Sequence, residues 1–156
     1  MRRFNHWTPR YLRDRLIEMV YRKRHPDYPW LTPQAIHFLK SYLKRSDKGL
    51  EFGSGRSTFW FARRVSSLIS VEHDVEWHRK VSKKLTEKKI VNVTYRFFHE
   101  KEKAQEVKTS GYVAVAHDLP ENSLDFVLVD GIFREHCTLE SVPLLQPGGV
   151  LIIDNV

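Results

Sequence analysis

The chain has 156 residues, 41% of them apolar and 29% charged. That suffices for one packed core and is too apolar for a disordered chain. Its longest apolar runs, around 126–129 and 150–153, fall far short of the ~20 residues that span a bilayer, so no membrane segment is expected. The basic N-terminus lacks the apolar stretch of a secretory signal. The one cysteine, Cys137, excludes an internal disulfide framework and a multi-cysteine zinc site. A soluble, reduced, cytoplasmic domain is the expectation.

The net charge is +7, and most of it sits at one end. Residues 1–24 hold eight Lys or Arg against Asp14 and Glu18, whereas 25–156 hold 18 basic and 17 acidic residues. A solvated helix face accounts for such an arm. So would a site for RNA, an anionic substrate or acidic lipid, and charge alone selects none of them. No nucleic-acid-binding motif accompanies it.

Thr8-Pro9 places a cap residue before a proline and opens an amphipathic helix with Leu12, Leu16, Met19 and Val20 on one stripe. His25-Pro26 ends it, and Asp27–Trp30 reads as a turn. Thr32-Pro33 starts a second helix, with Ile36, Leu39, Tyr42 and Leu43 as its buried face. Residues 1–30 thus read as a basic helical extension and 31–156 as the domain proper.

From Gly49 short apolar runs alternate with helical segments. Strands are expected over 49–52, 68–72, 91–97, 124–130 and 149–154, and helices over 57–65, 75–88 and 136–145. Trp77, Val81 and Leu85 share one side of the second of these helices. Alternating strands and helices imply parallel strands joined by right-handed crossovers, giving an open α/β sheet that is mostly parallel and doubly wound. The polar segment 98–123 is longer than most connections and holds a candidate strand over 112–116.

Three motifs carry chemistry. In Leu50-Glu51-Phe52-Gly53-Ser54-Gly55-Arg56-Ser57-Thr58, glycines fall where a strand ends and a helix begins, so the backbone can approach a ligand. Thr58 replaces the third glycine of a dinucleotide fingerprint, and Glu51 would repel a pyrophosphate but could hold an ammonium group, directly or through water. In Val71-Glu72-His73-Asp74, Glu72 ends the second strand 19 residues after Gly53, where an acid accepts hydrogen bonds from ribose hydroxyls. Together they call for an adenosine-containing ligand without a pyrophosphate.

The third motif pairs Asp130, at the end of the fourth strand, with Asp154-Asn155 at the end of the fifth. If those strands are neighbours, the three side chains offer the hard oxygen donors that suit Mg²⁺. An Asp shaping a turn and an Asx cap would explain them equally well. Beyond Asp130, Arg134 suits either an anionic group of an acceptor or a salt bridge. Cys137 reads as a packed thiol, and His73 as structural rather than as a base.

On these residues the sequence resembles the class I S-adenosylmethionine-dependent methyltransferases over about 30–156. Its Gly-Ser-Gly-Arg-Ser-Thr run is similar to that of one bacterial subgroup. The resemblance implies a Rossmann-like sheet and an enzyme transferring a methyl group to a small-molecule acceptor. Glu51, Gly53, Ser54, Gly55, Ser57 and Glu72 would bind the cofactor, S-adenosylmethionine. The Asp and Asp-Asn ends resemble the metal site of catechol and caffeoyl-CoA O-methyltransferases, which implies transfer to oxygen, Asp130 as the catalytic group, and Mg²⁺ on Asp130, Asp154 and Asn155. Such sheets normally continue for two more strands, so the chain is expected to be a fragment, to oligomerise, or to have its open edge covered by a partner. The alternatives are a non-catalytic cofactor- or RNA-binding relic and an NAD(P)-binding oxidoreductase.

Overall fold

In a computed structural model, residues 8–99 and 110–154 are described. Helix α1 (Pro9–Arg24) is capped by Thr8, whose hydroxyl accepts from the Tyr11 N–H at 3.1 Å, and α2 (Pro33–Tyr42) is capped in the same way by Thr32. Then follow β1 (Lys48–Phe52), α3 (Arg56–Ala62), β2 (Ser67–Glu72), α4 (Val75–Glu87) and β3 (Val93–Phe97). The remainder is α5 (Gly111–Ala114) with a 3₁₀ turn to Asp118, β4 (Leu124–Val129), α6 (Arg134–Ser141) with a 3₁₀ turn to Leu144, and β5 (Leu145–Ile153).

All neighbouring strands are parallel, in the order β3-β2-β1-β4-β5. The chain runs outward from β1 to β3, then returns to lay β4 on the other side of β1. That reversal makes the β1/β4 boundary the switch point, outside whose carboxyl ends open α/β sheets bind ligands. One core lies on each face. Leu50, Phe52, Val71, Val127 and Val129 meet Tyr112, Val113 and Cys137, while Phe126, Leu128 and Leu68 meet Ile36, Leu39, Trp60 and Phe61. Strand alternation therefore sends Glu51, Ser70 and Glu72 to the face that α2 and α3 cover.

Four expectations change. Residues 111–114 form a helix rather than a strand, because buried Tyr112, Val113, Val115 and Ala116 follow helical spacing and the Ser110 hydroxyl caps the turn. Helix α6 starts at Arg134, two residues early, because Phe133 takes a left-handed conformation (φ 52°) that turns the chain into it. Strand β5 starts at Leu145, with residues 146–149 looped out as a bulge against β4. In α2, Tyr42 and Leu43 are only half-buried. The stripe on α1 exists as spaced, but Leu12, Leu16, Met19 and Val20 all face solvent. Among the described residues no helix is long and apolar enough to cross a membrane.

Candidate functional site

The strand ends are aligned by hydrogen bonds between neighbours. Gly53 N–H donates to the Val71 carbonyl at 2.9 Å, Asp130 N–H to Phe52 at 2.8 Å, and Asp154 N–H to Val129 at 3.0 Å. Gly53, Glu72, Asp130 and Asp154 therefore share one edge. At Gly53 (φ +93°) a Cβ would lie 2.7 Å from the Gly131 nitrogen, so the turn after β1 needs glycine both for its backbone and for its contact with the β4 end. Gly55 differs: its backbone is extended, and a Cβ would meet only the Trp77 ring at 3.9 Å.

Glu51 is fully buried. Its Oε2 accepts from the hydroxyls of Thr58 and Ser70, both at 2.6 Å, and Thr58 in turn accepts from the Gly55 N–H at 2.9 Å. The residue standing in place of a third glycine thus ties the acid to the turn. Oε1 of Glu51 is buried with no hydrogen-bond partner. Burial raises the Glu51 pKa to about 7; hydroxyls of Ser57, Ser70 and Thr58 oppose the rise, and the Asp130 charge adds to it. A buried carboxylate with an unsatisfied oxygen is a receptor for a cation or a donor.

Glu72 is 3% exposed and well satisfied. Oε1 accepts from the backbone of His73 at 2.8 Å and Asp74 at 2.9 Å, and Oε2 from the Ser54 N–H at 3.1 Å and its hydroxyl at 2.7 Å. The Ser54 hydroxyl also meets the Tyr95 hydroxyl at 2.6 Å, and the Trp77 indole N–H donates to the Ser54 carbonyl at 2.7 Å. Trp77, which shares one side of α4 with Val81 and Leu85, is 44% exposed and clamps the glycine turn. Nothing in its spacing distinguishes it from Val81 and Leu85, which are buried. Tyr95 and Trp30 were likewise unmarked by any motif.

At the glycine turn lies a cleft of about 210 Å³. It is lined by Ser54, Gly55, Arg56 and Ser57 of the glycine turn and the start of α3, by Asp130, and by Trp30 and Trp77. The structure thus brings Ser54, Gly55, Ser57 and Asp130 to one cleft, with Gly53 beside them in the turn, while Glu51 and Glu72 are buried and do not line it. Burial, then the neighbouring Asp154, raises the Asp130 pKa to about 6, and Arg134 opposes the rise. Arg134 Nη2 stands 4.0 Å from Asp130 Oδ1, a loose pair. Among the described residues no three His, Cys, Asp or Glu side chains group to hold a metal ion, and Asn155 lies outside the described residues. The Cys137 thiol is buried and pushed up to about 12 by burial, as a packed cysteine should be.

A methyltransferase-domain family matches residues 50–156. The chain belongs to that family of methyltransferase domains. No curated protein matches it in sequence. Its fold is similar to that of the YcgJ protein of Bacillus subtilis, with 16% identity, TM-score 0.55, and 75% of this chain and 47% of that one covered. It is also similar to a precorrin 8w decarboxylase of Methanobacterium thermoautotrophicum, with 18% identity, TM-score 0.62, and coverage of 84% and 67%. A third likeness is to a SAM-dependent O-methyltransferase of Thermotoga maritima, with 18% identity, TM-score 0.53, and coverage of 76% and 42%. The chain spans less than half the length of the first and third of these.

Proposed function

We propose that the chain binds S-adenosylmethionine at the carboxyl edge of β1, β2 and β4 and transfers its methyl group to an oxygen of a small-molecule acceptor. The observation that carries this reading is the buried, unpartnered Oε1 of Glu51 beside the glycine turn, a fit for the ammonium end of an amino-acid ligand, met directly or through water. When bound, the cofactor supplies a methyl group already activated by a positive sulfur. Ser54, Gly55 and Ser57 would shape its seat, and Glu72 its ribose contact, with the Ser54 hydroxyl turning toward Tyr95 to free Oε2. Trp30 and Trp77 line the cleft, and alignment of the reactants within it would supply most of the rate. Asp130, with a pKa near 6, accepts the proton that the acceptor oxygen loses.

A second arm concerns Mg²⁺. Asp154 raises the Asp130 pKa both by its charge and by a side-chain hydrogen bond, and with Asn155 the two would offer a divalent cation hard oxygen donors. The test of the main reading is calorimetric titration with S-adenosylhomocysteine, with NADH as the control ligand. Micromolar binding that Glu51→Ala abolishes supports it, and binding of NADH alone overturns it in favour of an oxidoreductase. Mg²⁺ added to the same protein should raise its melting temperature, an effect Asp154→Asn should remove; no change in either drops the metal.

A further inference from the structure

Two further cavities are lined largely by basic side chains. The first, about 400 Å³, is lined by Lys40, Arg45, Arg63 and Arg64 against a single acid, Asp27. Two of its cations are fixed in place. Arg64 lies over the Trp60 ring at 3.9 Å and donates to the Trp60 carbonyl at 2.8 Å, while Lys40 lies 4.5 Å over the Tyr28 ring and donates to its hydroxyl at 2.6 Å. The two rings meet edge to face at 6.5 Å. Cations held on a rigid aromatic base lose little side-chain freedom when an anion arrives. Arg64 has its charged form disfavoured by burial and by Arg63 and Arg45, so an anion there relieves repulsion.

The second cavity, about 380 Å³, shares Asp27 and Arg63 with the first and adds Arg56, Lys84 and Lys88 against Glu87. Arg56 also lines the candidate cofactor cleft. The cations therefore form a track along α2, α3 and α4 that ends at the cleft. A single phosphate would occupy one cavity; a track with seven cations and two acids fits a linear polyanion.

We propose that this track binds the phosphodiester backbone of a nucleic acid. The aromatic rings are already capped by cations and so do not offer themselves to bases, which makes the binding independent of sequence. The proposal does not depend on methyl transfer, nor on the basic residues of the N-terminal arm.

The test is fluorescence anisotropy of the full chain with a labelled mixed-sequence RNA of about 20 nucleotides, at salt from about 50 to about 200 mM. Micromolar binding at low salt is expected, with log K falling against log salt at a slope of about −3, as about four neutralised phosphates would give. Arg45→Glu with Arg63→Glu should weaken binding by about tenfold or more and make the slope shallower. Arg45→Gln with Lys84→Gln, which removes charge without reversing it, should do the same to a lesser degree and serves if the reversal unfolds the chain. Lys23→Glu with Arg24→Glu, on α1, should change affinity less than about twofold. The proposal is overturned if the track variants bind RNA as the parent does, if only the α1 variant loses binding, or if vesicles with anionic headgroups bind while RNA does not. S-adenosylhomocysteine titration separates the two readings: retained cofactor binding with lost RNA binding in the track variants supports the track, whereas a parent chain that binds RNA but not S-adenosylhomocysteine sinks only the cofactor site.

Discussion

Ser54 donates to Glu72 twice, through its backbone N–H at 3.1 Å and its hydroxyl at 2.7 Å, so the acid at the end of β2 and the turn after β1 are one hydrogen-bonded unit. With His73 and Asp74 donating to the other oxygen, Glu72 already accepts four hydrogen bonds, about as many as a carboxylate has lone-pair sites for. A ribose must therefore displace a donor, and the Ser54 hydroxyl is the one with an alternative partner, Tyr95.

This exchange separates two variants. Ser54→Ala is expected to cost about 1 kcal/mol of stability and to leave S-adenosylhomocysteine affinity within about threefold, because Glu72 stays in place. Glu72→Ala should lower both stability and affinity, the latter by ~1–3 kcal/mol. Urea unfolding and calorimetry on the two proteins check this. Equal loss of affinity in both would move the ligand contact from Glu72 to the Ser54 hydroxyl.

Glu51 makes stability and binding respond oppositely to pH. Its folded pKa is about 7 against an ordinary 4.5, so between those values the folded chain holds a proton that the unfolded chain has released. Stability then falls as pH rises through that window, by about 3 kcal/mol, and levels off above it. Binding of an ammonium group favours the ionised form, so affinity for S-adenosylhomocysteine should rise between about pH 6 and 8. Glu51→Gln should remove both trends. Urea unfolding and calorimetric titration across this range, for parent and variant, give the difference due to Glu51 alone; parallel pH profiles would sink its role.

Periodicity and punctuation make most of the scaffold legible in the sequence. The two Thr-Pro caps, five strands, and acids at the ends of β1, β2 and β4 all follow from local chemistry that tertiary structure had no reason to override. What stayed hidden depends on contacts distant in sequence. That Trp77 turns back onto the Ser54 carbonyl, or that Thr58 bridges Glu51 and Gly55, is fixed by how α3 and α4 settle on the sheet. Residues 112–116 deceived for another reason: five mostly apolar residues fit a strand or a buried helical turn, and only the cap from Ser110 decides.

The two glycines of the turn should respond differently to alanine. At Gly53 both the positive φ and the 2.7 Å approach to the Gly131 nitrogen oppose a Cβ, so Gly53→Ala is expected to cost upwards of ~2 kcal/mol. At Gly55 the backbone is extended and the nearest atoms lie at ordinary contact distance, so Gly55→Ala should stay within about 1 kcal/mol. Denaturant midpoints with unchanged slopes measure both. If Gly55→Ala nevertheless abolished cofactor binding in a stable protein, the second glycine would be required for ligand approach rather than for the fold.

Helix α1 and helix α2 open with the same Thr-Pro signal but differ in what their apolar residues touch. Leu16 is 60% exposed on the outer stripe of α1, whereas Ile36 is 1% exposed and packs among Leu39, Trp60 and Phe126. Ile36→Ala removes buried methyl groups and leaves a cavity, at an expected cost of ~2–5 kcal/mol. Leu16→Gln removes almost no buried surface and should change stability by no more than about 0.5 kcal/mol. Chemical denaturation of the full chain compares them directly. A loss at Leu16 approaching that at Ile36, and growing with protein concentration, would mean that the α1 stripe is buried against a second copy in solution; a small loss at every concentration leaves it a free surface.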